Sequence, residues 1–208
     1  MRLRQPSSIE PSRELIDRDH PRDKAGLIAL LRTGNAAQRR RAAIDLADYP
    51  DSAAMMGAQL ANEADPEVRE ALFVSLSDLH SESAATALLP LLRNEDDQLR
   101  SGAVKALAGM PRAVAPCINT LLRDNDPDVR VFTIHLLGDL RHDQVPRWLL
   151  QVLNDEASVS GVTAAVEVLA QLGQPEHIPT LQAVRRRFAD DPFLAFAIDV
   201  AIQRIGAA

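Results

Sequence analysis

A chain of 208 residues with a formal net charge of −6 has room for one or two compact domains or a single solenoid, and lacks the basic surface that generic nucleic-acid binding demands. Hydrophobic residues make up 46% but aromatics only 3%, and no apolar/polar alternation reaches strand length, which suits close helix–helix packing and fits poorly with a sandwich or barrel. The single cysteine, Cys117, leaves no internal disulfide or cysteine-held zinc; no apolar run is long enough for a membrane span, and the polar start "MRLRQPSSIEPSRELIDRDHPRDK" is no secretory signal, so a cytoplasmic protein is expected.

Residues 1–23 are polar, carry Pro6, Pro11 and Pro21, and are expected to form an N-terminal arm, either a disordered leader or a segment that docks on the body or a partner. From Lys24 to the C-terminus (24–208) the chain reads as helices in pairs. "KAGLIALLRTG" precedes "NAAQRRRAAIDLADYP"; "SAAMMGAQLANEA" precedes "DPEVREALFVSLSDL"; "SESAATALLPLLRNE" precedes "DDQLRSGAVKALAGM". "RAVAPCINTLLRDN" precedes "DPDVRVFTIHLLGDL"; "QVPRWLLQVLNDEA" precedes "SVSGVTAAVEVLAQLG"; "PEHIPTLQAVRRRFA" precedes "DDPFLAFAIDVAIQRIG". No single helix can bury its apolar stripe, so neighbouring pairs must stack.

The second helices share a register. Their anchors Gln38, Val68, Leu99, Val129, Gly161 and Leu194 are spaced by 30, 31, 30, 32 and 33 residues, a period that marks a stacked repeat protein. Three residues before each anchor stands Asn35, Asp65, Asp96, Asp126, Ser158 or Asp191, all side chains that accept hydrogen bonds from the free amides of a helix start. Pro66, Pro127 and Pro192 then occupy the first helical position, where a missing N–H is harmless. One residue past the first four anchors comes Arg39, Arg69, Arg100 and Arg130. Stacking would set these side by side, each within reach of a cap residue such as Asp65, Asp96 or Asp126, as a structural ladder suited to the planar guanidinium fork. Arg100→Ala would then strand a carboxylate. Val162 and Ala195 interrupt the ladder, so the last two pairs are expected to hold together mainly by apolar packing.

"DPEVREALFVSLSDL" and "DPDVRVFTIHLLGDL" resemble the D-P-x-V-R-x-x-A-x-x-A-L-G pattern of HEAT repeats, in the short bacterial form also found in phycobilisome lyase proteins. The resemblance covers Lys24 to Ile205. It implies an all-α, right-handed α-solenoid of six helix pairs whose second helices line a concave groove. Residues two and six past each anchor would face that groove. The first series is Arg40, Glu70, Ser101, Val131, Thr163 and Phe196; the second is Ile44, Val74, Lys105, His135, Glu167 and Val200. Apolar side chains among isolated charges mark interaction surfaces, which makes Arg40, Ile44, Glu70, Val74, Lys105, Val131, His135, Glu167, Phe196 and Val200 the expected partner-binding residues. A helical phase shifted by one residue would instead place some of them in the core. The final helix is apolar nearly all round, so its excess either packs within its own pair or is covered by another chain.

The expected function is a non-catalytic scaffold or adaptor that binds a protein partner, with no cofactor. The alternative, from the resemblance to bilin lyases, is an accessory protein that handles a tetrapyrrole for an acceptor protein. The five histidines include no helical i, i+4 pair and no H-E-x-x-H, and the repeated His-Glu dipeptides of HEAT-like deoxyhypusine hydroxylases are missing, so neither a metal nor a catalytic site is expected. The acidic charge and scarce aromatics differ from HEAT-like DNA glycosylases. The runs Arg39–Arg41 and Arg185–Arg187 read as an end-repeat cap and a solvated face or as anion contacts; Cys117 reads as a small core residue or as a thiol activated near a helix start.

Overall fold

The computed structural model describes residues 23–207; the expectation of an N-terminal arm falls, but for Asp23, outside the described residues. Twelve α-helices and no strand are present among them. They form six pairs: α1 (Lys24–Thr33) with α2 (Ala36–Asp45), α3 (Ala53–Leu60) with α4 (Pro66–Asp78), α5 (Glu82–Leu88) with α6 (Asp97–Ala108), α7 (Pro111–Leu121) with α8 (Pro127–Asp139), α9 (Val145–Asp155) with α10 (Val159–Leu172), and α11 (Ile178–Arg187) with α12 (Pro192–Ala207). The even-numbered helices pack in chain order, α2 on α4 through to α10 on α12.

The six expected caps all act at the starts of these even-numbered helices. The Asn35 side chain accepts from the Gln38 amide and the Asn35 amide donates to Gln38 Oε1 in return, a reciprocal capping box. Asp65 and Asp96 each accept two amides, Asp126 accepts that of Asp128, Ser158 that of Gly161, and Asp191 those of Phe193 and Leu194. The first helices are less regular. Pro90 cannot donate and would crowd the preceding turn, so α5 ends at Leu88 and the chain continues as a 3₁₀ segment, Leu89–Arg93. Pro50–Ser52 forms a similar 3₁₀ lead into α3.

A continuous core runs along the array, from Leu27 and Leu31 through Leu72, Leu107, Leu137 and Leu169 to Ile205. Two glycines allow neighbouring helices to approach closely. A Cβ at Gly102 would lie 2.4 Å from the Phe73 ring, and one at Gly57 would lie 2.8 Å from the Ala87 Cβ. Hence α4–α6 and α3–α5 pack too closely there for any side chain.

The array closes at α12. Five residues past the anchor, Phe73, Val104, Ile134 and Val166 are buried, but the corresponding residue of the last pair is Asp199. It is exposed and paired with Arg185 through two hydrogen bonds of 2.7 and 2.9 Å. An ion pair thus replaces the apolar stacking surface. Leu194, Ile198, Ala201 and Ile205 are buried where α12 meets α10 and α11, so much of its apolar excess packs within the chain.

The last two pairs are joined by apolar packing, as expected, and Arg187 adds polar contacts to it. Arg187 donates to the carbonyls of Leu153, Asn154 and Glu156 at 2.8, 2.8 and 3.0 Å. A cation at the C-terminal end of α9 is well placed against the helix dipole.

Candidate interaction groove

The arginine ladder fixes how the second helices sit beside one another. Each ladder arginine first grips its own loop: Arg39 donates to the carbonyl of Gly34, Arg69 to Glu63, Arg100 to Asn94 and Arg130 to Asp124. The second contact reaches the following repeat, and there the arrangement departs from the expected arginine–cap pairs. Only Arg69 reaches a cap, Asp96, at 2.8 Å. Arg39 takes Glu63 in a bidentate pair at 2.9 and 2.7 Å, and Arg130 takes Glu156 at 2.7 and 3.2 Å. Asp65 and Asp126 accept only amides of their own helix starts.

The physical reason lies two residues before the cap, where Glu63, Asn94, Asp124 and Glu156 stand in successive loops. Each accepts the amide of the cap residue, at 2.9 to 3.0 Å, and the glutamates also have an oxygen free for the arginine. Asn94 has no charge to offer, so Arg69 turns to the second oxygen of Asp96. Asp124 is already paired with Arg93. Arg100 is therefore left to contact the exposed Asp97 of its own helix and to lie 5.2 Å over the Phe132 ring, with its buried Nε unpartnered. Where a ladder arginine finds an acceptor two residues before the cap, at Glu63 and Glu156, the glutamate at that spacing was the sequence signal for it.

Hydrogen bonding to Arg39 lowers the Glu63 pKa to about 2, with burial opposing and the Asp65 amide and Gln59 reinforcing. At Glu156, burial raises the pKa, but the hydrogen bonds from Arg130 and Ser158 outweigh it and the value again falls to about 2. Both carboxylates are committed to structure. Cys117 is half-buried, and burial raises its thiol pKa, which opposes thiolate formation.

Held in this register, the second helices present a common face. Arg40, Ile44, Glu70, Val74, Lys105, His135, Glu167 and Phe196 are exposed; Val131 and Val200 are partly exposed; none of the ten is buried. Val131 leans against the core, and His135 meets the Phe132 ring edge-on at 6.5 Å. Arg40, Ile44, Glu70 and Val74 come together in a cleft of about 600 Å³ between α2 and α4. Glu70, Val74 and Lys105 line a smaller one of about 130 Å³ towards α6. Val131, His135, Glu167, Phe196 and Val200 continue the series on α8, α10 and α12 and line neither cleft.

Three contributors to this face were not singled out in the sequence. Glu67 and Asp78 line the larger cleft, and Phe193 is 87% exposed beside Phe196 at 71%. The position before the anchor reads Ala37, Glu67, Gln98, Asp128, Ser160, Phe193, so the departure of the last pair was legible there. Of the two basic runs, Arg39 joins the ladder, Arg185 pairs with Asp199 and Arg187 grips α9. Among the described residues no group of three or more His, Cys, Asp or Glu could hold a metal ion, and no helix is long and apolar enough to cross a membrane.

The family model for HEAT repeats matches residues 3–108 and 114–198. The chain belongs to the HEAT-repeat family. Among curated proteins none matches it. Solved structures similar to this HEAT-repeat chain include an archaeal HEAT-like repeats protein from Thermococcus onnurineus NA1, at 16% identity over 89% of this chain and 88% of that one, with a TM-score of 0.44. The complex of CpcE and CpcF of phycocyanin lyase from Nostoc sp. PCC7120 is also similar, at 16% identity over 94% and 100% of the two chains, with a TM-score of 0.31. A designed armadillo repeat protein matches at 14% identity over 86% and 98%, with a TM-score of 0.37.

Proposed function

We propose that this HEAT-repeat protein is a non-catalytic interaction module that holds a partner protein along the face formed by its second helices. The observation that carries this reading is where the exposed apolar side chains lie. Of the six large hydrophobic residues most exposed among the described residues, Ile44, Val74 and Phe196 fall on the two series that face the groove, and Phe193 adjoins Phe196. Large apolar side chains left in water, rimmed by charge and repeated along one face, are the usual mark of a surface that another chain covers. The ladder pairs Arg39–Glu63 and Arg130–Glu156 are largely buried between repeats, and the outer face of α12 carries the Asp199–Arg185 pair in place of an apolar surface.

The test is capture of a partner from the native host, repeated with variants. Phe196→Ala removes an aromatic anchor that is 71% exposed. It should weaken partner binding by about 2 kcal/mol or more, on the scale of interface hot spots, and leave the melting temperature nearly unchanged. Val74→Ser should act in the same direction, and Arg112→Ala, an exposed residue at the start of α7, should not. A large loss of melting temperature in Phe196→Ala with undiminished partner affinity would return Phe196 to a structural role and refute this reading.

A further inference from the structure

Within the groove, the cleft between α2 and α4 has a pattern of its own. Glu70, Val74 and Asp78 stand at i, i+4 and i+8 on α4, and all three are exposed and line the cleft. The stripe reads acid, aliphatic, acid over two turns, which places its two carboxylates about 12 Å apart along the helix. Ile44, 49% exposed like Val74, supplies a second aliphatic surface from α2, with Ala47 and Ala71 completing an apolar floor.

The charge around this floor is unbalanced. Among the described residues Arg40 is the only cation lining the cleft, against Glu67, Glu70 and Asp78, and its Nε lies 3.9 Å from Glu67. The carboxylates of Glu70 and Asp78 take no hydrogen bond or ion pair among the described residues. Elsewhere in the chain, Glu63, Asp96, Asp124, Glu156 and Asp199 each have an arginine. A purely apolar occupant would strip water from two carboxylates without replacing it, and an anionic one would be repelled. Only an occupant with cations flanking an aliphatic side chain satisfies both the floor and the rim.

Building on the groove reading, we propose that the α2–α4 cleft receives a helical segment of the partner protein in which lysine or arginine, an aliphatic residue, and lysine or arginine follow one another at i, i+4 and i+8. This is the helix-in-groove mode of recognition, with the spacing of the bound helix complementing that of α4. The cations meet Glu70 and Asp78, and the aliphatic side chain between them lies on Val74 and Ile44.

The experiment measures fluorescence anisotropy of labelled, alanine-based helical peptides titrated with the full chain. One peptide carries Lys-Leu-Lys at i, i+4 and i+8, a second has the same composition with the spacing scrambled, and a third carries Glu-Leu-Glu. The first should bind saturably and weaken as salt is raised. Glu70→Lys and Asp78→Lys should each weaken it by about tenfold or more, since each turns an attraction into a repulsion; Val74→Ser should also weaken it, and Arg112→Ala should leave it unchanged. No saturable binding of the first peptide, equal binding of the scrambled or acidic one, or indifference to Glu70→Lys would each overturn the proposal. A captured partner lost with Phe196→Ala but kept with Glu70→Lys would overturn this assignment alone and leave the groove reading standing. A partner indifferent to both would sink the groove reading itself.

Discussion

Arg39 and Arg100 occupy the same register in the first and third pairs, yet of the two only Arg39 faces a buried carboxylate with no other cation. Glu63 is 3% exposed, so Arg39→Ala would leave a charge in the interior without its counter-ion, at a cost of about 3–5 kcal/mol. Arg100→Ala removes a bond to a carbonyl, a contact with the exposed Asp97 and a ring contact with Phe132, and it also removes a buried, unpartnered Nε. Its cost should be nearer 1–2 kcal/mol, which reverses the expectation that this arginine guards a carboxylate. Urea unfolding midpoints measure the difference, and equal midpoints would contradict the pairing. The same chemistry sets a pH dependence. Glu63 and Glu156 have pKa values near 2 when folded and about 4.5 ordinarily, so between those values the unfolded chain binds more protons. Their contribution is therefore complete above about pH 4.5 and is lost as pH falls towards 2, on the order of 3 kcal/mol for Glu63 alone. Glu63→Gln should flatten stability over that window, and an unchanged slope would place the acid sensitivity elsewhere.

At the scale of the helix, what was legible in the sequence was whatever is decided within a few residues. Asp65, Pro66 and Val68 define a helix start among themselves, because a cap bonds to amides two and three residues on. The ladder acceptors are a different case. Arg39, Arg69 and Arg130 meet partners 24, 27 and 26 residues away, and the choice depends on which loop offers the longer Glu, a neutral Asn, or an Asp already taken. The truncation of α5 at Pro90 was likewise hidden by the apolar run around it. Helix packing itself was also out of reach, as Gly102 shows. Intrinsic propensity alone would make Gly102→Ala stabilising by up to about 1 kcal/mol in α6. The Phe73 ring stands 2.4 Å from the new Cβ, and the even-numbered helices cannot part without opening the core on both sides. Overpacking should win, at about 1–3 kcal/mol net destabilisation. Phe73→Leu should rescue part of it in a double-mutant cycle, whereas additive effects would mean that the two helices do not meet there.

For the molecule as a whole, the face was readable because the period carries every second helix into the same orientation, so a phase found on one applies to all. Its local chemistry was not, since the cleft depends on how α2 and α4 sit together, and Glu67 and Asp78 join it from outside the two series. Stacked pairs touch only their neighbours, so stability passes along the chain as a series of interfaces. The junction between the fifth and sixth pairs lacks a ladder arginine, with Val162 in its place, and Arg187 supplies three carbonyl contacts across it. Arg187→Ala should therefore act on one junction. Amide exchange in α11 and α12 should quicken by roughly tenfold, about 1.4 kcal/mol of local stability, a modest value because the side chain is exposed. Protection in α1–α8 should stay as it was, because those helices are separated from the change by interfaces that remain intact. Loss of protection spread evenly over all twelve helices would show a single cooperative unit and overturn this account of the last pair as the weakest link in the array.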